Sequence, residues 1–273
     1  MMHPIFAVAL KEFQDGLRNR WLISITLIFA ILSLGLSYYG SIASGQIGTI
    51  SISSTIASLS SLAVFLIPLI ALLLSYDSFV GEQESGTLLL LLTYPLSHKQ
   101  LLLGKFLGQG AIITLATCLG FGSAAILLFI TSDVQNIFSS FGLFILTATL
   151  LGLCFTAIAY VISLSVNEKS KAAGIALMIW FFFVLVFDLA LLGILVGIED
   201  GLSQNLLVQI MMFNPADLFR LINLSALDTS DVNGVLAVAI NSSLSPMTLT
   251  LIMAGWILIP LSIASIIFKK KTL

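Results

Sequence analysis

The chain has 273 residues, of which 59% are hydrophobic and 9% charged, with a formal net charge of −2. A soluble globular chain is roughly 45–50% apolar and 25% charged, so this composition excludes a soluble domain and marks an integral membrane protein. No run of basic residues speaks for nucleic acid, and Cys118 and Cys154 lie in apolar stretches without a C-x-x-C or Cys/His cluster, as small core residues do.

In chain order, the first twenty residues set Phe6, Leu10, Phe13 and Leu17 at helical spacing, with Lys11, Glu12, Gln14, Asp15 and Arg18 on the other face. That pattern predicts an amphipathic helix lying in the membrane interface over residues 1–20. A cleavable signal peptide is disfavoured, because the following apolar run is long and two acids precede it. Taking roughly 20 apolar residues per crossing, six spans follow: Trp21–Tyr39, Ser58–Tyr76, Leu107–Ile130, Ile137–Val166, Ala172–Gly197 and Met247–Phe268. The whole chain reads as a single transmembrane domain, all α-helical, over residues 1–273.

An even number of spans puts both termini on one side. With the termini cytoplasmic, the inner segments hold Lys11, Arg18, Arg20, Lys99, Lys105, Lys169, Lys171 and Lys269 to Lys271, ten of the eleven basic residues, and only Arg220 lies outside. This asymmetry sets the orientation. Asp133, Glu199, Asp200, Asp217, Asp228 and Asp231 then face outward, while Trp21 and Tyr38/Tyr39 sit where interfacial aromatics belong.

Between spans two and three, GEQESGTLLLLLTYPLSHKQ (81–100) sets two glutamates and a glycine against five leucines and ends them with Thr-Tyr-Pro. Leu88 to Leu92 is far too short to cross, and Glu82, Gln83 and Glu84 cannot enter lipid cheaply. Acids suit a helix start, and Pro95 ends a short helix near Tyr94. Leucines around most of its surface call either for a groove on another protein or for an interfacial elbow against the chain's own spans.

Further along, Gly104-x-x-x-Gly108 and Gly193-x-x-x-Gly197 permit close approach of helix backbones, although such patterns are weak. Asp77, ending span two, reads as an interfacial or capping carboxylate. Asp188, inside span five, costs on the order of 3 kcal/mol if ionised in lipid and so faces protein, as a pathway or switch residue or as a structural tie. The outer segment 198–246 holds Asn214-Pro215, which reads as a helix cap and first helical position. Asp217 and Arg220 are placed to pair, on a short helix at the outer surface. Met211-Met212 lack His or Cys support for metal binding.

Glu82, Glu84, Ser85-Gly86-Thr87-Leu88 and Pro95-Leu96-Ser97 resemble the cytoplasmic coupling-helix signature of type-2 ABC transporter permeases, acidic-x-acidic-x-Gly-Thr-Leu before a leucine-rich stretch and proline. The resemblance covers essentially the whole chain. Leu17 to Trp21, Leu102 to Gly108, Glu168 to Gly174, Trp180 to Phe183 and Asn214 to Asp217 are further similar to the permeases that serve maturation of the copper enzyme nitrous oxide reductase.

The resemblance implies a six-span permease fold with an interfacial N-terminal helix, in the bacterial inner membrane. It implies a homodimer whose coupling residues, Glu82, Glu84, Gly86, Thr87, Leu88, Leu89, Leu91, Leu92 and Pro95, fit a cleft on a dimer of cytoplasmic ABC ATPase subunits. ATP and Mg are then bound by that partner and no cofactor by this chain, which accords with the lack of any G-x-x-x-x-G-K-[ST] frame around Lys105. A periplasmic subunit is also implied, for which the segment with Asp217 and Arg220 is the longest platform; an interfacial helix sealing the exit is the other use of it. The cargo is a sulfur species or copper. Alternatives are an exporter of lipid, drug or polysaccharide, and a proton-coupled secondary transporter using Asp188. The second is opposed by the scarcity of intramembrane charge and the missing inverted repeat. An intramembrane enzyme is disfavoured because no metal-ligand cluster falls in the spans.

Overall fold

The computed structural model of the chain describes residues 4–43, 52–131, 137–197, 204–225 and 245–271, and no strand occurs among them. Asp133, Glu199, Asp200, Asp228 and Asp231 lie outside the described residues, as do the side chains of Tyr38 and Tyr39. The helices are α1 (Pro4–Arg18), α2 (Trp21–Ala43), α3 (Ile52–Ser75), α4 (Val80–Glu84), α5 (Thr87–Thr93), α6 (His98–Thr131) and α7 (Ile137–Ser165). There follow α8 (Lys169–Phe181), a π-helical turn (Phe182–Val186), α9 (Phe187–Gly197), α10 (Gln204–Met211), α11 (Pro215–Ser225) and α12 (Pro246–Lys270).

Five of these segments are long and apolar enough to cross a membrane, and the α1–α2 pair, bent by 64°, makes a sixth when counted as one span. The apolar runs locate them well because a chain in lipid has to satisfy its backbone within each helix. The clearest difference is α6, which starts at His98 rather than Leu107. Its 34 residues give about 51 Å of rise, well beyond a hydrocarbon core of about 30 Å. The extra turns project at the end of the bundle where α1, α4, α5 and the last turn of α12 also meet, termed basal below.

Helix α7 is buried over most of its length, with Phe138 and Leu146 exposed, and packs against α3, α6, α8, α11 and α12. It is apolar on all sides, as a central helix requires. Its hydroxyls are satisfied locally: Thr156 donates to the Gly152 carbonyl at 2.9 Å, and Thr149 meets Thr117 of α6 at 2.9 Å. Cys154 is buried here, whereas Cys118 lies on the exposed face of α6, and both are free thiols.

The N-terminal helix does more than lie in an interface. Phe6, Leu10 and Leu17 stay exposed, but the opposite side of α1 packs along the basal part of α6. There Gly104 and Gly108 admit it so closely that a Cβ on Gly104 would stand 2.6 Å from Val8 Cβ, and one on Gly108 would stand 2.6 Å from the Ala9 carbonyl oxygen. The Gly193 and Gly197 pair, by contrast, has no atom within 4 Å of its Cβ positions among the described residues. Gly108→Leu is therefore expected to push α1 off α6 at a cost of about 1–3 kcal/mol. Thermal unfolding of the purified protein and protease cleavage within residues 1–20 test this; an unchanged midpoint and cleavage pattern would exclude it.

The outer segment departs most from the surface helix expected of it. Helix α11 is buried along nearly its whole length, wedged between α3, α7 and α12. Phe219 packs against Phe144 with the rings tilted at 57°, and Asn223 donates to Thr147 Oγ1 at 2.9 Å, both well inside α7 from its start. The α10–α11 hairpin thus re-enters the bundle from the end opposite the basal one. An amphipathic pattern with an apolar stripe does not distinguish a helix on a surface from one sunk between others.

Candidate functional site

The break between α3 and α5 organises the basal end. The chain leaves α3 at Ser75, turns through Asp77 to Phe79 and forms the single turn of α4. The freed amides of Phe79 and Val80 both donate to Ser163 Oγ of α7, at 3.0 and 3.1 Å, so the break carries no orphaned donors there. Gly86 then reverses the chain with φ of +73°, a left-handed conformation that costs an L side chain roughly 1–2 kcal/mol. Thr87 Oγ1 donates back to the Glu82 carbonyl at 3.2 Å and closes the turn. The Glu-x-Glu-x-Gly-Thr stretch thus encodes one compact corner.

The two glutamates serve different neighbours. Glu82 Oε1 lies 2.8 Å from Lys105 Nζ of α6, and Lys105 Nζ also lies 2.9 Å from Glu12 Oε1 of α1. Lys105 is only 2% exposed and approaches the Phe79 ring at 5.6 Å, so these two carboxylates are the counter-charges of a buried cation. Glu84 instead accepts the Lys169 backbone N–H at 2.6 Å, placing a negative charge on the N-terminus of α8. Lys169 Nζ reaches back to Asp77 Oδ2 at 2.7 Å.

A second buried network sits one turn further along α6. Gln109 Nε2 donates to Ser78 Oγ at 2.6 Å, and Tyr160 OH donates to Gln109 Oε1 at 3.0 Å. Lys271 donates to the Leu164 and Val166 carbonyls at the end of α7, at 3.0 and 3.2 Å, and burial lowers its pKa. Ser78, Gln109 and the Lys105 cluster line a polar cavity of about 390 Å³ between α1, the α3–α4 corner and α6.

On α5, Leu88 is buried, and Leu91 and Leu92 are partly buried against the chain's own core. Leu89, Leu90 and Tyr94 are 55%, 64% and 64% exposed, which leaves an apolar face pointing away from the bundle. Leu90, which the sequence motif does not single out, is among the most exposed of these. Pro95 follows in the connection to α6.

At the opposite end, Asp188 opens α9 just after the π-helical turn. Arg220 of α11 lies 2.6 Å from Asp188 Oδ2 and 3.1 Å from Asp217 Oδ1. Asn214 Oδ1 accepts the Ala216 N–H at 2.9 Å as a helix cap, while its Nδ2 donates to the Phe183 carbonyl of the π turn at 2.8 Å and to Asp217 at 3.0 Å. The pair read as a surface couple is an internal cluster that ties α11 to the π-helical turn of the fifth span. Met211 is buried, and no group of three or more His, Cys, Asp or Glu able to hold a metal occurs among the described residues.

Sequence reading singled out Glu82, Glu84, Gly86, Asp188, Asp217 and Arg220 and paired the last two, but did not join Glu82 to Lys105 or Asp188 to Arg220. It missed the Glu12–Lys105 tie, although a lysine between two close-packing glycines in an apolar helix is a signal in itself.

A bundle of this kind, with an interfacial first helix and a polar corner between its second and third spans, is matched over residues 6–273 by the model of the ABC-2 family transporter protein family, and the chain belongs to that family. It is the permease subunit of an ABC transporter, a kind of subunit that works as a dimer with an ATPase partner. Two relatives carry the description probable ABC transporter permease protein NosY. That of Pseudomonas aeruginosa is 51% identical over 273 residues, and that of Stutzerimonas stutzeri 50% identical over 274 residues, each alignment covering 99% of both chains.

Proposed function

We propose that this permease, resembling NosY, moves a sulfur species or copper for maturation of the copper centre of nitrous oxide reductase, driven by ATP that a NosF-like ATPase dimer binds with Mg and hydrolyses. The likeness to the two relatives described as NosY supports the setting. The basal end lies in the cytoplasm of a bacterial inner membrane, with both termini there. Support comes from the basic residues: ten of the eleven fall in segments on that side. A NosD-like periplasmic subunit sits on the other side.

The observation that carries the coupling role is the exposed face of Leu89, Leu90 and Tyr94 on a corner otherwise anchored by Glu82 and Glu84. Such a face is what a helix-in-groove contact needs. A push on α5 passes through the Gly86 corner to α4, and from there through Lys105 to α6 and α1. Because α1 and α2 join at a 64° bend, the first span is drawn into the same motion.

Leu89→Ser with Leu90→Ser is expected to release the ATPase subunit while the permease still inserts, because neither side chain supports the chain's own core. Co-purification from membranes measures it. An ATPase yield equal to that of the unaltered protein would refute the coupling role of this face.

A further inference from the structure

At the basal end a groove of about 530 Å³ runs between α6 and α12, within the range of about 300–1,000 Å³ usual for small-molecule sites. Lys99 and Leu103 line it on α6, and Leu258, Leu261, Ser265 and Lys269 line it on α12. The α12 residues recur at helical spacing and form one stripe. From Leu258 to Lys269 the stripe rises about 16 Å, close to the depth of one leaflet of a hydrocarbon core about 30 Å thick. Ser262 lines it as well, with its hydroxyl turned into its own helix to donate to the Leu258 carbonyl at 2.7 Å, so the wall is mainly apolar.

The charges at the mouth are of one sign. No acidic residue lines the groove. Lys99 and Lys269 are exposed and form no ion pair among the described residues, whereas Lys11, Lys105, Lys169 and Lys171 each have a carboxylate partner. Two unneutralised lysines above an apolar slot of leaflet depth suit an amphiphile with an anionic head. A zwitterionic lipid would bring its own ammonium against them, and a soluble phosphate would leave the leucine wall uncovered.

We infer that the α6–α12 groove binds an anionic phospholipid of the basal leaflet, its phosphate between Lys99 and Lys269 and one acyl chain along Leu103, Leu261 and Leu258. The bound lipid bridges the start of α6, directly after the α5 corner, to the end of α12.

Native mass spectrometry of the delipidated complex with its ATPase partner, titrated with phosphatidylglycerol or phosphatidylcholine, tests the site. Phosphatidylglycerol is expected to bind the more tightly. Lys99→Gln and Lys269→Gln are each expected to weaken it about fivefold, and Lys270→Gln, one residue outside the groove, to leave it unchanged. Ser265→Trp fills the slot while keeping both lysines, and it is expected to reduce binding too, which keeps the test decisive if the lysine variants assemble poorly. Equal retention of the two lipids, equal losses from Lys269→Gln and Lys270→Gln, or displacement by millimolar inorganic phosphate would overturn the proposal. Release of the ATPase rather than of lipid by Ser265→Trp would also overturn it and make the groove a seat for that partner.

Discussion

Lys105→Met is expected to destabilise the basal end by about 3 kcal/mol, because it leaves Glu82 mostly buried with no cation beside it and Glu12 with only the exposed Lys11, at 3.4 Å. The lysine is 2% exposed, with carboxylates at 2.9 and 2.8 Å, so water replaces it poorly. Glu82 Oε2 is already buried without a hydrogen-bond partner among the described residues, which makes this arrangement sensitive to any further loss. The expected phenotype is a complex that still captures the ATPase through Leu89 and Leu90 but hydrolyses ATP without transport. Converting Glu12 and Glu82 to glutamine in the same protein should restore stability, since a wholly neutral cluster is near break-even with an ionic one. Recovered stability with transport still absent would assign the cluster a mechanical role. A Lys105→Met protein with unaltered unfolding midpoint and transport would refute the tie.

Arg220→Leu should be the most damaging change at the other end, at a cost of about 3–5 kcal/mol. It leaves Asp188 and Asp217 facing one another within the bundle and removes the link between α9 and α11. Folded protein should fall sharply, measured as monodisperse yield from membranes. Asp188→Asn, by contrast, keeps an acceptor 2.6 Å from the guanidinium and should assemble normally. If transport by that variant is lost at unchanged yield, the Asp188 charge acts in the transport cycle; if yield falls with it, Asp188 is a structural tie. An Arg220→Leu protein recovered at full yield would show that α11 is held by its apolar contacts alone.

The number of crossings is legible in the amino-acid order, because an apolar run of about 20 residues has few other uses; where a helix continues beyond the apolar run, as α6 does back to His98, its end is not. The stop of the leucine helix before Pro95 is legible too, but the acids that read as its start form a separate turn, α4, which Gly86 divides from α5. Local chemistry of that kind also places the Asn214 cap and the Asp217–Arg220 pair.

What the tertiary structure alone decides is which of these groups meet. Glu12 and Lys105 are 93 residues apart in the chain, and Asp188 and Arg220 are 32 apart. No periodicity within a helix reports a partner on another helix. The leucine run could not say that Leu88 turns inward while Leu89 and Leu90 turn outward, since a helix with leucine at every position has no pattern to read. Nor could the apolar stripe of α11 distinguish a surface from the cleft it occupies, because burial depends on what the remaining helices leave open.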